Sequence, residues 1–197
     1  RIGLALGSGS ARGWAHIGVL DALADAGIEP DIICGSSIGS LVGGAYIAGQ
    51  LPALCTWAEA ATWRDIVRLM DIRLAGGGLI SGELVIAFLH ELGITKSIED
   101  YVKPYAAVAT DLATGREIWL RTGPIDEAVR ASISIPGIFS PIRLNDTLLA
   151  DGGLSNPVPV SVCRALGAEV TIAVNLNGDL LGRRFKSELH PEKTATP

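Results

Sequence analysis

Gly35-Ser36-Ser37-Ile38-Gly39 joins two segments of different character. Before it, Ile32-Ile33-Cys34 is a short apolar run that reads as a buried strand. After it, Ser40-Leu41-Val42-Gly43-Gly44-Ala45-Tyr46 is small and apolar and reads as a packed helix. G-x-S-x-G at such a junction puts a serine on a sharp strand-to-helix turn, held out at the end of a sheet. The following helix turns the positive end of its dipole toward that serine. Gly35 and Gly39 are expected where a side chain would strike neighbouring backbone. Ser37 is therefore the leading candidate nucleophile. A Gly/Ser turn that only links strand to helix is the alternative.

Upstream, Ile2-Gly3-Leu4-Ala5-Leu6 is an apolar run entering Gly7-Ser8-Gly9-Ser10, a strand followed by a glycine-rich loop. Trp14, Ile17, Leu20 and Leu23 recur at helical spacing over residues 14–26, with Gly27 as the C-cap. A second strand follows at 31–34. Strand, loop, helix and strand in that order make a βαβ unit and imply α/β architecture. Downstream, residues 52–71 read as a helix broken by Gly76-Gly77-Gly78, and Ser81-Gly82-Glu83 opens another running to about residue 92. Strands are expected at 106–110 and 117–120, joined by a turn at Thr114-Gly115. A short helix is expected at 126–132, an apolar run 148–150 leads into Asp151-Gly152-Gly153, a helix covers 158–166, and a last strand covers 170–174. One domain over residues 1–177 and a polar tail or linker over 178–197 are expected.

Hydrophobic residues make up 48% of the 197 and charged residues 19%, enough to bury a sizeable core. No apolar stretch reaches the roughly 18 residues of a membrane-spanning helix. The first residue is Arg rather than Met, as expected of a piece of a longer chain, and no secretory leader is visible. The net charge of -5, without runs of like charge, argues against nucleic acid as a partner. Cys34, Cys55 and Cys163 are odd in number and sit in apolar surroundings, which fits reduced thiols in a cytoplasmic protein. His16, His90 and His190 are scattered without metal-ligand spacing, and no metal or organic cofactor is expected.

An acyl-transfer serine needs a base and donors for the developing oxyanion. The glycine-rich loop Gly7-Ser8-Gly9-Ser10, followed by a helix, can supply convergent backbone N–H groups. The base is less obvious. His16 lies on an apolar helix and reads as a packed or capping residue, His90 lies on a separate helix, and His190 is in the polar tail. Ser37, Asp151 and His190 satisfy the chain order of an α/β-hydrolase triad, but that fold places several strands before its nucleophile. Asp151 ends an apolar run and is followed by two glycines, so its carboxylate can approach another backbone closely. Partial burial would strengthen it as a base. A turn aspartate making an Asx hydrogen bond is the other reading.

Residues 4–20, with Leu4-Ala5-Leu6-Gly7-Ser8-Gly9-Ser10-Ala11-Arg12-Gly13-Trp14, resemble the opening of the patatin-like phospholipases. So do the elbow Gly35 to Gly39, the block Arg130-Ala131-Ser132-Ile133-Ser134-Ile135-Pro136-Gly137-Ile138-Phe139, and the block Asp151-Gly152-Gly153-Leu154-Ser155-Asn156-Pro157. The blocks stand in family order and resemble most the short bacterial members and the catalytic domain of neuropathy target esterase. The resemblance implies a three-layer α/β/α sandwich with a largely parallel central sheet and a Ser–Asp dyad without histidine. Ser37 would be the nucleophile, Asp151 the base, and Gly7, Ser8, Gly9 and Ser10 the oxyanion loop. Gly7, Gly9, Arg12 and Gly13 match the family's loop, while Ser8 and Ser10 replace common glycines. Arg12 is expected to order a helix end or backbone, and Gly153 belongs to the matching Asp-Gly-Gly block.

The expected function is a serine lipid acyl hydrolase: a phospholipase, lysophospholipase or esterase acting on fatty-acyl esters or phospholipids. A regulatory or lipid-binding module that keeps the fold without useful turnover is the alternative. A dinucleotide-binding reading of Gly7, Gly9 and Gly13 leaves the elbow and the Asp151 block without a place. Trp63-Arg64-Asp65-Ile66-Val67-Arg68-Leu69-Met70 pairs apolar residues with arginines. It reads either as an ordinary amphipathic helix on the core or as a peripheral contact with an anionic membrane surface. Asp111, Thr114 and Arg116 are expected to form a structural hydrogen-bond network, and Asn156 and Pro157 to shape the backbone beside Asp151.

Overall fold

The computed structural model describes residues 1–62, 65 and 83–178. The expected breaks at 76–78 and 81–82, the amphipathic segment 63–70 apart from Asp65, and the tail with His190 lie outside those residues. Strands are β1 Ile2–Leu6, β2 Ile32–Ser36, β3 Tyr105–Asp111, β4 Glu117–Leu120, β5 Ile142–Leu144, β6 Thr147–Asp151 and β7 Val170–Val174. Helices among the described residues are α1 Ala15–Asp25, α2 Ile38–Ile47, α3 Leu51–Ala60, α4 Glu83–Glu91, α5 Ile125–Ser132 and α6 Val160–Ala165. Short 3₁₀ turns cover Ser10–Trp14, Ile98–Asp100 and Gly152–Leu154.

The strands form one mixed sheet in the order β5-β6-β3-β2-β1-β7, with β4 also paired to β3. The β7-β1-β2-β3 pairings are parallel, and β4, β5 and β6 run antiparallel to their partners. Successive side chains alternate between the faces. Leu4, Leu6, Ile33, Tyr105 and Ala107 pack with α1 to α5 on one side. Ala5, Ile32, Cys34, Ala106 and Val108 pack with Val162 and Cys163 of α6 on the other. Helices on both faces of a sheet that is parallel through its centre give the layered α/β arrangement read from the sequence.

Three expectations need correction. The helix expected over 52–71 ends at Ala60, because Ala61 turns to extended backbone at ψ 125°. Strand β2 continues past Cys34 to Ser36 and delivers Ser37 directly to α2. β5 was not anticipated: it is three residues long, partly exposed, and joined to β6 by Asn145 and Asp146 at φ 46° and 63°. Two consecutive left-handed residues are the signature of a tight hairpin turn, and Asn-Asp is chemistry suited to it.

One register relation positions the site. Tyr105 to Val108 of β3 pair with β2, and Ala109 to Asp111 pair with β6. β4 pairs with Ala107 to Thr110 and so overlaps both. β2 and β6 therefore share the edge of β3 opposite β4, end to end. The last residue of β2, Ser36, lies opposite Val108, and the last residue of β6, Asp151, lies opposite Ala109. The two strand ends meet over adjacent residues of β3.

The elbow glycines fit through close approach. A Cβ on Gly39 would stand 2.1 Å from the Leu6 carbonyl oxygen, and one on Gly35 would stand 2.4 Å from that of Gly39. Both obstacles are backbone, so neither can rotate away. Gly39→Ala is expected to destabilise the fold by about 2–3 kcal/mol or more, as forced overpacking does. Equilibrium urea unfolding measures the loss, and an unchanged midpoint would show that α2 can move off β1.

Candidate active site

Ser37 sits between β2 and α2 at φ 56° and ψ -128° and is 4% exposed. A positive φ is costly for an L-residue with a side chain and persists only where its surroundings fix it. Those surroundings act on both sides of the residue. The Ser37 N–H donates to Ser132 Oγ at 2.9 Å, and that hydroxyl donates to the Val108 carbonyl at 2.5 Å. The Ser37 carbonyl accepts from Ser40 N–H at 2.8 Å and from Ser40 Oγ at 2.6 Å. The elbow is thus tied to β3 through Ser132 and to the first turn of α2 through Ser40.

Asp151 reaches Ser37 from the end of β6. Ser37 Oγ donates to Asp151 Oδ2 at 2.5 Å, and the Gly153 N–H donates to Asp151 Oδ1 at 2.7 Å. One Asp151 oxygen thus makes the Asx turn and the other faces the serine. Its backbone is held by Ser134 O, which accepts its N–H at 2.9 Å, and by Thr110 Oγ1, which donates to its carbonyl at 2.8 Å. Burial raises the carboxyl pKa above its ordinary value, and the bonds from Ser37 and Gly153 draw it partly back.

The glycine-rich loop lies beside this pair, but its four residues are not equivalent. Gly7 N–H donates to Val174 O at 3.1 Å and Ser8 N–H to Pro157 O at 2.8 Å. Gly9 and Ser10 N–H have no acceptor among the described residues. Ser10 adopts φ 49°, a conformation in which glycine is unstrained, so the serine keeps a glycine-like turn. The first N–H groups of α2, from Ile38 and Gly39, also lack intrahelical acceptors. Gly13 packs against Ile38, and Arg12 Nη2 donates to Asn177 Oδ1 at 2.9 Å.

His16 is fully buried, and its Nε2 contacts Gly7 O at 2.7 Å, which requires a proton on that nitrogen. It anchors the loop rather than meeting Ser37, and burial lowers its pKa. His90 pairs with Asp126 Oδ2 at 2.6 Å, away from the serine. Cys34 and Cys163 are buried, while Cys55 is partly exposed, and all three are free thiols. Asp111 accepts from Thr114 Oγ1 at 2.6 Å and from Ala113 N–H at 2.9 Å, a turn network as expected. Asn156 Nδ2 donates to Glu117 Oε2 at 2.6 Å, and Asn156 N–H to Gly152 O at 2.9 Å, beside Asp151. Among the described residues no cluster of His, Cys, Asp and Glu could hold a metal ion, and no helix is long and apolar enough to cross a membrane.

Two cavities meet at Ser37. One, of about 210 Å³, is walled by Trp14, Ile38, Leu41, Trp57, Phe88, Phe139 and other apolar side chains. The second, of about 200 Å³, is bordered by Ser8, Gly9, Arg12, Asp151, Gly153 and Asn177 among others. Ser10, Ser37 and Ile135 border both. Arg130, 1% exposed, shapes the loop between them. Its guanidinium donates to Ser134 Oγ at 2.5 Å and to Ser140 O at 2.8 Å, and it lies 5.3 Å from the centre of the Phe139 ring.

In the sequence Arg130 and Ser132 stand inside the 130–139 block, whose motif alone gives neither a role. A serine closing an otherwise buried helix end was the available signal for Ser132. Asn177 carried no local signal, because its partners Arg12 and Ser8 are 165 and 169 residues away.

A model described as patatin-like phospholipase matches residues 4–164. An uncharacterized NTE family protein of Mycobacterium tuberculosis is 43% identical over 197 residues, covering all of this chain and 52% of the relative. The patatin-like phospholipase domain-containing protein 6 of Homo sapiens is 34% identical over 182 residues, covering 89% of this chain and 13% of that protein. The chain thus spans about half the length of the mycobacterial relative it matches. Among solved structures, VipD from Legionella pneumophila aligns with a TM-score of 0.45 at 14% identity, over 77% of this chain and 45% of that one.

Two outcomes test this arrangement. Ser132→Ala leaves the Ser37 N–H without its acceptor and should cost about 1–3 kcal/mol in urea unfolding; a neutral effect would mean the elbow holds without it. For His16, the unfolded imidazole takes up a proton below about pH 6.5, while the buried one, with its lowered pKa, does not. Its contribution to stability is therefore complete above about pH 6.5 and lost as pH falls below it. Urea unfolding at pH 7.5 and 5.5 should show a smaller pH-dependent loss in His16→Gln than in the wild type.

Proposed function

The chain belongs to the patatin-like phospholipase family, and from that premise we propose that it is a serine lipid acyl hydrolase using a Ser37–Asp151 dyad. Family membership supports lipid hydrolysis as the chemistry. The observation that carries the finer reading is the 2.5 Å bond from Ser37 Oγ to Asp151 Oδ2, made at a backbone position held in a positive-φ conformation.

Asp151 takes the Ser37 proton as Oγ attacks the carbonyl carbon of a fatty-acyl ester. The negative charge that develops on the carbonyl oxygen is met by N–H groups of Gly9 and Ser10, at the positive end of the α2 dipole. Gly7 and Ser8 support the loop instead, because their N–H groups already bond Val174 and Pro157. The tetrahedral intermediate collapses as Asp151 returns the proton to the departing alcohol oxygen, leaving an acyl-Ser37 ester. Water then occupies the leaving group's place and gives a proton to Asp151. Its oxygen attacks the acyl carbon, the carboxylic acid departs, and Ser37 regains its proton. The apolar cavity suits the acyl chain and the polar cavity the alcohol portion. The raised Asp151 pKa strengthens the carboxylate as a base for this exchange.

Fluorophosphonate labelling tests the nucleophile. The wild type should label, Ser37→Ala should not, and Asp151→Asn should label on the order of 10²–10⁴-fold more slowly, the usual span for loss of a general base. Absence of labelling in a folded wild type would favour a lipid-binding or regulatory role. Because Asp151 must be ionised, kcat/KM should rise with pH through a midpoint above the ordinary aspartate value of about 3.9. An acid limb at or below that value would contradict burial as the cause.

A further inference from the structure

We infer that Asn177 is a positioning residue for the oxyanion site, aiming the Gly9 N–H by holding the Ser8 carbonyl. The inference rests on the hydrolase reading above and names a residue outside the stretch matched to the family, residues 4–164. Asn177 lies just past the end of β7. Its Nδ2 donates to Ser8 O at 3.0 Å, and its Oδ1 accepts from Arg12 Nη2 at 2.9 Å. A guanidinium can only donate, so Arg12 fixes which end of the amide faces it and turns Nδ2 toward Ser8. The Asn177 backbone N–H donates to Asn175 Oδ1 at 3.0 Å, which sets the residue's own position.

Peptide geometry then transmits the hold. In a planar trans peptide the carbonyl and the following N–H point in opposite directions. The Gly7–Ser8 unit is fixed at both ends, its carbonyl by His16 and its N–H by Pro157 O. The Gly9–Ser10 unit is fixed at its carbonyl by the Arg12 N–H at 3.1 Å. The Ser8–Gly9 unit between them is held at its carbonyl by the Asn177 side chain. Its N–H, one of the two assigned to the oxyanion, has no acceptor among the described residues. Without Asn177 that peptide can rotate about its flanking bonds, and the donor is no longer preorganised. Gly9, Ser37 and Asn177 border the same cavity, so the effect is local.

The test uses Asn177→Leu, similar in size but unable to donate, assayed with a p-nitrophenyl ester. Removing a whole oxyanion donor costs about 10²–10³ in kcat, so misaiming one should cost on the order of 10- to 100-fold. KM should stay within about twofold, because the ground-state carbonyl makes little use of that donor. An alkyl trifluoromethyl ketone, which adds Ser37 Oγ to give an anionic hemiketal, should lose affinity by the same factor as kcat. Asn177→Ser, whose hydroxyl is too short to reach Ser8 O, should behave alike and serves if the leucine variant is unstable. A kcat within twofold of wild type, a rise in KM at constant kcat, or unchanged trifluoromethyl ketone affinity overturns the inference. A wild type that neither turns over ester nor reacts with fluorophosphonate overturns the hydrolase reading itself, and the inference with it.

Discussion

β3 is the strand on which everything else depends. Its one edge accepts β2 along its first half and β6, running the other way, along its second. Two strand ends far apart in sequence therefore face each other, and Ser37 and Asp151, 114 residues apart, come within a hydrogen bond. Neither residue could be aimed this way by its local turn alone. The elbow supplies a serine at a sheet end, and the Asp-Gly-Gly turn supplies a carboxylate with room in front of it. The shared edge of β3 brings them together, and the Val108 carbonyl at the junction anchors Ser132, and through it the elbow.

The site costs the fold stability, which the surroundings must offset. It contains a serine at positive φ, a buried carboxylate, a buried guanidinium and a buried imidazole. Each is held by specific polar contacts: Ser132 and Ser40 on the elbow, Gly153 on Asp151, Ser134 and Ser140 on Arg130, Gly7 on His16. Burying such groups without these partners would be strongly unfavourable. The same partners fix the relative geometry of Ser37 and Asp151.

Much of this was legible in the residues, for identifiable reasons. The β1–α1–β2 unit declared itself because a continuous apolar run gives way, across a glycine-rich loop, to apolar residues at helical spacing and then to a second apolar run. Ser37 and Asp151 were visible because each sits between an apolar run and small residues that only special backbone geometry explains. The different hydrogen bonding of residues 7–10 was not legible, because it depends on Val174, Pro157 and Asn177, contacts far along the chain. β5 was hidden by its length of three residues and its partial exposure. The helix expected to reach residue 71 stops at Ala60 because Ala61 turns to extended backbone, a change that apolar spacing does not encode.

The central claim is that Ser37 carries the acyl group and Asp151 alone exchanges the protons. The most direct measurement is mass spectrometry of the protein acid-quenched during turnover of a p-nitrophenyl acyl ester, followed by peptide mapping. The account predicts one acyl group on the peptide containing Ser37, accumulating to a steady level in the wild type and greatly reduced in formation rate in Asp151→Asn. Turnover with no adduct, or with the acyl group on another residue, would contradict it.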